Sequence, residues 1–144
     1  MTATLGAMLV FLLSMQTPVP APAGAFRTLD RGLDSNLDMA RQAVVRTEGE
    51  WEALWRVHGG DRTRPAIDFS KEMVVGLFLG SRPTAGFAIE IVGLRDDGGA
   101  LVVQYRETRP PAGAIVAQIL TMPYHIIAVS RRPPAVDVRF EKVN

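Results

Sequence analysis

The 144-residue sequence contains no cysteine. This absence excludes disulfide bridges, thiolate catalysis and cysteine-based zinc sites. It also excludes the acylated cysteine by which a bacterial lipoprotein is anchored. An excess of charge of one sign is lacking as well, because 16 basic and 15 acidic residues leave a formal net charge of +1. The chain therefore has no broad positive field, and we expect it not to bind nucleic acid.

Charged side chains are also missing from residues 1–25. The apolar stretch Leu5–Met15 has the length of a secretory h-region and is shorter than the roughly 20 residues that cross a bilayer. A proline-rich stretch, Gln16–Pro22, follows it, and Ala23–Ala25 has the small-x-small pattern that signal peptidase recognises. We predict a signal peptide over residues 1–25, cleaved before Phe26, and a periplasmic or extracellular mature protein. The alternatives are an uncleaved membrane anchor and a buried amino-terminal helix.

The remaining segment, 26–144, has the length of a single domain. One helix is predicted at about 48–58, with Thr47 as N-cap, Glu50 three residues later and Gly59–Gly60 as the left-handed end. Its apolar face carries residues at helical spacing, namely Trp51, Leu54, Trp55 and His58.

Alternation with a period of two predicts strands over much of the rest of the chain. The predicted strands are Phe26–Asn36, Gln42–Arg46, Met73–Leu79, Phe87–Val92, Leu101–Thr108, Tyr124–Val129 and Val136–Phe140. Asp96–Gly99 predicts a hairpin turn, whereas Ala114–Leu120 is compatible with helix or strand. The predicted fold class is α+β and β-rich: an antiparallel sheet curled into a sandwich or open barrel, with one main helix packed on it.

No signature of catalysis is present in the sequence. It lacks a nucleophile elbow, a phosphate-binding loop, a dinucleotide fingerprint and any metal-binding histidine spacing. The two histidines, His58 and His125, are interpreted as structural. We therefore predict a protein that is not an enzyme and needs no cofactor or metal. The competing hypothesis is a small hydrolase or metal enzyme, which requires a pocket that holds His125 and a carboxylate.

Three loops are candidates for binding a partner. The stretch Gly80–Phe87 combines a proline with a glycine that permits a left-handed turn, and a stiff loop loses little entropy on docking. The second loop, Thr108–Gly113, either terminates a strand or faces a partner, and the third is Pro123–His125. The predicted partner-binding residues are Arg82, Pro83, Thr84, Phe87, Pro123, Tyr124 and His125.

An ordered set of segments resembles the carboxy-terminal domain of the PrcB family, the protease complex subunit PrcB and its relatives. These segments are Glu50–Trp55, Asp68–Val75, Phe78–Gly80, Arg82–Thr84, Gly86–Ile91, Arg106–Thr108, Pro110–Pro111 with Gly113, Thr121–His125 and Val138–Phe140. The resemblance runs from about residue 42 to 141. It implies an exported, non-catalytic accessory domain that binds another exported protein, a secreted protease above all, and that helps to form or stabilise its complex. Contact with a membrane is expected only if the amino-terminal segment stays uncleaved.

A second resemblance leads to the alternative function. Arg82–Phe87 is similar to the Asn-Pro-Thr-Thr-Gly-Phe loop of chagasin-type cysteine-protease inhibitors, which display it on an immunoglobulin-like sandwich. The Asn of that loop is replaced here by Arg82, and no Trp follows Arg109–Pro110 as the third loop of those inhibitors would require. A protease inhibitor is therefore the runner-up hypothesis.

Overall fold

The computed structural model describes residues 24–144. This part of the chain holds seven strands and one helix, in the order β1 (Phe26–Gly32), β2 (Arg41–Val45), α1 (Glu48–His58), β3 (Glu72–Phe78), β4 (Ala88–Asp97), β5 (Ala100–Thr108), β6 (Tyr124–Ser130) and β7 (Asp137–Lys142). The predicted signal peptide lies outside the described residues except for its last two. Within the described part, no helix has both the length and the apolar character needed to cross a membrane.

The strands form two sheets. One has four antiparallel strands in the order β1-β6-β3-β2, and the other has three in the order β4-β5-β7. Strands β4 and β5 form the predicted hairpin, with Gly98 and Gly99 both at positive φ in its two-residue loop. Strand β7 runs parallel to β5, a pairing that the predicted antiparallel sheet did not include. A parallel pair needs a long connection, and here β6 in the other sheet lies on that connection.

The domain has three layers, with α1 on one face of the four-stranded sheet and the three-stranded sheet on the other. This arrangement explains why β3 is apolar on both faces. The helix covers one face of β3, and the three-stranded sheet covers the other. The core between the sheets comprises Met73, Val75, Leu77, Leu79, Ile89, Ile91, Leu101, Val103, Ile127 and Val129. The core beneath the helix comprises Ala43, Val45, Trp51, Leu54, Trp55, Val74, Phe78, Tyr124 and Ile126. The β-rich α+β sandwich is thus confirmed.

Helix α1 begins and ends where its sequence predicts. The Thr47 hydroxyl accepts a hydrogen bond from the Glu50 backbone N–H at 3.2 Å and donates one to the Glu50 carboxylate at 3.0 Å. Beyond the last turn, Gly60 takes the left-handed conformation at φ 58°. The two indole N–H groups, of Trp51 and Trp55, donate to backbone carbonyls of the loop that follows the helix. The tryptophans can therefore be buried without leaving a donor unpaired.

Strand β1 contains a bulge that exchanges the faces of its side chains. Its register with β6 shifts between Thr28 and Asp30. Without the shift, these two residues would share a face, because they are two positions apart. Instead, the Thr28 side chain bonds to His125, which also bonds to β4 across the inter-sheet core, and the Asp30 side chain bonds to His58 of α1. One edge strand thus contributes polar side chains to both cores.

Candidate functional site

The Gly80–Phe87 loop carries the chain from the four-stranded sheet to the three-stranded sheet, and is not a hairpin. Gly80 has φ 74°, and a Cβ at this position would lie 2.7 Å from the Ala40 backbone nitrogen. Gly86 has φ 95°, and a Cβ there would lie 2.9 Å from Pro110. Both ends of the loop therefore need glycine for conformation and for space. The loop is packed against its neighbours, as a preformed recognition element would be.

The structure gives different surroundings to the four predicted contact residues of this loop. Pro83 is exposed, whereas Arg82, Thr84 and Phe87 are half-buried. The Arg82 guanidinium lies over the Phe87 ring at 5.8 Å, and the Thr84 hydroxyl donates to the Ala85 carbonyl at 2.9 Å. The Thr84 hydroxyl is therefore already engaged as a donor within the loop. The role of these four residues in binding a partner stays a prediction.

A segment that sequence reasoning left undecided forms the most apolar surface beside the loop. Ala114–Leu120 is neither helix nor strand, and the side chains of Ile115, Ile119 and Leu120 are 103%, 56% and 65% exposed. Backbone hydrogen bonds hold the segment to the loop: Arg82 and Thr121 exchange a pair at 2.7 and 2.9 Å. The Ala85 N–H also donates to the Ala117 carbonyl. No pattern in the sequence distinguished Ala114–Leu120 from a buried apolar segment.

The segment 33–40 adds to the same end of the molecule. The Ser81 N–H donates to the Asp38 carbonyl at 2.8 Å, and the Met122 N–H donates to the Leu33 carbonyl at 2.8 Å. Five of the seven exposed large apolar residues of the described chain lie on segments 33–40 and 114–122, which flank the loop; they are Leu33, Met39, Ile115, Ile119 and Leu120. We call these five residues, together with Arg82–Phe87, the loop-end surface. Such a concentration of exposed apolar side chains is typical of a protein interaction site.

The predicted contacts at Pro123, Tyr124 and His125 are wrong, because all three residues are buried. Tyr124 and His125 are 1% and 2% exposed, and both belong to β6 in the middle of the four-stranded sheet. The Tyr124 ring faces the helix core, and its hydroxyl donates to Asp30 at 2.9 Å. These side chains cannot reach a partner without unfolding the sheet. The interpretation of His125 as structural fits this position.

Two hydrogen bonds fix the His125 ring in one tautomer. Its Nδ1 accepts from the Ile91 backbone N–H at 2.8 Å, so the proton is assigned to Nε2, which donates to the Thr28 hydroxyl at 2.8 Å. Burial is the main cause that lowers the pKa of His125 to about 4. The nearby Arg31 guanidinium also lowers this pKa, by more than the Glu90 carboxylate raises it. Protonation would convert the acceptor Nδ1 into a donor that faces another donor. The neutral ring is therefore part of the fold.

A second polar cluster surrounds His58 where β1, β6 and α1 meet. His58 is fully buried, its Nδ1 lies 2.8 Å from the Ser35 hydroxyl, and its Nε2 lies 3.0 Å from the Asp30 carboxylate. The same carboxylate lies 3.3 Å from the Arg62 guanidinium and accepts the Tyr124 hydroxyl. Since a carboxylate only accepts, Nε2 of His58 carries the proton and Nδ1 accepts from Ser35. We call Asp30, Ser35, His58, Arg62 and Tyr124 the Asp30 cluster.

Burial sets the proton affinities in the Asp30 cluster. It lowers the pKa of His58 below its ordinary value, although the Asp30 carboxylate partly opposes this effect. Burial also raises the pKa of Tyr124 to about 12. At neutral pH the imidazole and the phenol are therefore both uncharged. The net role of the cluster is to hold α1 against the edge strand β1.

The Asp30 cluster contains a serine, a histidine and an aspartate in hydrogen-bonded order, which is the composition of a hydrolase triad. In a triad the aspartate bonds Nδ1 and the serine bonds Nε2, whereas here the two ring nitrogens are exchanged. Ser35 is 1% exposed, and its oxygen accepts the Leu37 backbone N–H at 3.1 Å. This serine has no access to a substrate. The cluster is a structural hydrogen-bond network and not a set of attacking groups.

Metal binding finds no support in the described residues either. No three histidine, aspartate or glutamate side chains in residues 24–144 are grouped so that they could hold an ion. The two imidazoles point into different cores, with His125 between the sheets and His58 beneath the helix. Each ring nitrogen already has a protein partner. The hydrolase or metal-enzyme hypothesis requires a pocket that holds His125, whereas this side chain is 2% exposed.

Comparison with known families bears on the central part of the chain. Residues 73–130 match the family model described as PrcB C-terminal. The resemblance deduced from the sequence is thus confirmed over these residues. The matched PrcB C-terminal segment runs from β3 to β6 and contains both the Gly80–Phe87 loop and the exposed segment 114–122. It links this part of the chain to domains associated with a protease complex.

No curated protein and no solved structure matches the chain. The helix, β1, β2 and β7 lie outside the PrcB C-terminal match. Their packing against the matched strands is nevertheless continuous, because β6 pairs with β1, β3 pairs with β2, and β5 pairs with β7.

Proposed function

We propose that this protein is an exported, non-catalytic accessory domain that binds another exported protein, a secreted protease, through its loop-end surface. The observation that carries the proposal is the exposure of Ile115, Ile119 and Leu120 on a segment hydrogen-bonded to the Arg82–Phe87 loop. Apolar side chains held in a fixed position lose little entropy when a partner covers them. The PrcB C-terminal match supports a protease complex as the setting.

Export is inferred from the uncharged, apolar amino-terminal segment and from the small-x-small pattern before Phe26. The absence of catalysis is inferred from the two histidines, each of which is buried and bonded within the fold. A domain with such a surface and without accessible reacting groups can act by holding its partner in a given arrangement. We infer that its contribution is to assemble or stabilise the protease complex.

The experiment is capture of partners from the exported fraction of the source cells by the tagged protein, followed by mass spectrometry. The double variant Ile115→Asp/Ile119→Asp should capture at least tenfold less protease than the wild type, because burial of each isoleucine contributes about 1.5–3 kcal/mol. The variant Arg82→Ala/Thr84→Ala tests the loop itself. Val92→Asp, at an exposed apolar position on β4, is the matched control and should capture as the wild type does.

Equal recovery of the same partner by the wild type and the double aspartate variant would reject the loop-end surface. Capture of proteins that include no protease would reject the proposed partner. A test of inhibition with a papain-like enzyme separates the proposal from the inhibitor alternative, since an accessory domain should not slow that enzyme at micromolar concentration.

A further inference from the structure

The four exposed sheet edges of the described domain are not protected to the same degree. Strands β1 and β4 each carry a register shift, and β7 alternates charged side chains along its length. Bulges and charges are the usual means of keeping an edge from pairing with another chain. Strand β2 has neither a bulge nor a proline, and Arg41, at one end, is its only charged residue. Its outer edge is therefore the one best suited to accept a further strand.

Clefts lie on both faces of β2. A cleft of about 400 Å³ runs between β2 and the face of α1 that carries Glu50, Ala53, Leu54 and Val57. A second cleft, of about 390 Å³, opens between the sheets and is lined by Arg41, Gln42, Leu79, Arg82, Tyr105 and Glu107 among others. Both clefts include Arg41 and Gln42, so they meet along the edge strand.

The positions of the clefts match the geometry of an added strand. Within β2, Ala43 and Val45 face the helix core, whereas Val44 packs towards the core between the sheets. An extended segment paired with β2 would alternate in the same way. Its alternate side chains would enter the helix-side cleft and the inter-sheet cleft in turn. Main-chain hydrogen bonds would give affinity, and the two clefts would give specificity, as in other cases of strand addition.

The two clefts differ in chemistry. On the helix side, Val57 is 44% exposed and continues an apolar surface with Ala53 and Leu54. In the inter-sheet cleft, the Glu107 carboxylate is already paired with Arg109 and Lys142 at 3.2 and 3.3 Å. Within the described residues, no carboxylate lies at ion-pair distance from Arg82, which also lines this cleft. The inter-sheet cleft therefore favours an acidic side chain.

We propose that the edge of β2 binds an extended polypeptide segment of a partner, of about five residues, which adds as a strand. Apolar side chains of the segment face Ala53 and Val57, and an acidic side chain on the opposite face pairs with Arg82 in the inter-sheet cleft. The β2 edge is distinct from the surface of the proposed function, because it lies on β2 and α1, whereas the exposed isoleucines lie on segment 114–122. Arg82 also belongs to the loop-end surface, so the test adds Val57, which lines the helix-side cleft of β2 and is not part of that surface.

The test uses capped synthetic peptides of the pattern Thr-Val-Glu-Val-Glu-Val-Thr, with a matched peptide in which Lys replaces each Glu. Two-dimensional NMR of the purified protein follows the peptide titration, and hydrogen exchange is measured at the amides of residues 41–45. The Glu peptide should shift and protect these amides, and the Lys peptide should bind at least tenfold more weakly. The variant Arg82→Glu should reverse that order, which a merely unfolded variant could not do.

Two further variants locate the site. Val57→Asp should weaken binding of the Glu peptide at least tenfold, whereas Val92→Asp should leave it unchanged. Ile115→Asp/Ile119→Asp should also bind the peptide as the wild type does, so that failure at the loop-end surface and failure at β2 are told apart. The proposal is overturned if neither peptide shifts residues 41–45, or if both bind equally. It is also overturned if those amides change with protein concentration alone, since the occupant would then be a second copy of this chain.

Discussion

Single side chains decide how this fold responds to acid. His125 is neutral in the folded state with a pKa of about 4, whereas an unfolded histidine titrates at its ordinary value of 6.5. Below pH 6.5, His125 therefore binds a proton in the unfolded chain but stays neutral in the folded chain until the pH approaches 4. The stability that the neutral ring contributes is complete above pH 6.5 and is lost progressively as the pH falls to about 4.

The variant His125→Gln should remove this pH dependence. Glutamine keeps one donor and one acceptor but does not titrate. Between pH 6.5 and 4, the difference in unfolding free energy between wild type and variant should change by up to about 3 kcal/mol, with the wild type losing more. Urea unfolding at a series of pH values measures it. Parallel curves for the two proteins would show that His125 has an ordinary pKa in the fold.

The sequence did not reveal which positions these side chains occupy. Tyr124 and His125 were predicted to contact a partner, as part of a candidate binding loop Pro123–His125. They begin a continuous apolar run, Tyr124–Val129, and such a run is typical of a strand covered on both faces. The cluster around Asp30 was not predicted at all, since the hydrogen bonds Ser35–His58, Asp30–His58 and Asp30–Tyr124 join residues 23, 28 and 94 positions apart and no local pattern connects them.

At the scale of elements, local signals were sufficient for α1 and for the hairpin. Thr47 and Glu50 mark the start of the helix, and Gly60 takes the left-handed conformation after it. The hairpin is specified by Gly98 and Gly99. The parallel pairing of β5 with β7 has no such signal, because it depends on how two sheets stack and not on any neighbouring residue.

The helix start is open to a direct test. Thr47→Ala removes the side-chain acceptor of the Glu50 N–H and the donor to the Glu50 carboxylate. We expect a loss of about 1 kcal/mol in the free energy of unfolding, which is typical of an N-cap. Thr47→Ser keeps the hydroxyl and is the control, with a stability close to that of the wild type. Urea denaturation followed by tryptophan fluorescence reports on both, and an unchanged midpoint for the alanine variant would contradict the assignment.

At the scale of the whole molecule, the two proposed binding surfaces lie apart from the interactions that stabilise the three layers. The polar networks that fix the layers lie inside, whereas the loop-end surface and the β2 edge lie outside. Substitutions at Ile115 or Val57 should therefore alter binding without unfolding the domain. Turn residues drew attention to the Gly80–Phe87 loop in the sequence, whereas the isoleucines of segment 114–122 were missed, because exposed apolar residues resemble core residues until the fold is known.

The bulge in β1 has a consequence for how the molecule comes apart. The bulge turns Thr28 towards His125 and Asp30 towards His58. The single edge strand β1 is therefore hydrogen-bonded to both cores. Loss of β1 from the sheet would disrupt both cores at once, so acidification should produce one cooperative unfolding transition. Tryptophan fluorescence, which senses the helix side, and amide exchange at Ile91, which senses the space between the sheets, should change at the same pH. Two separate midpoints would mean that β1 does not couple the unfolding of the two cores.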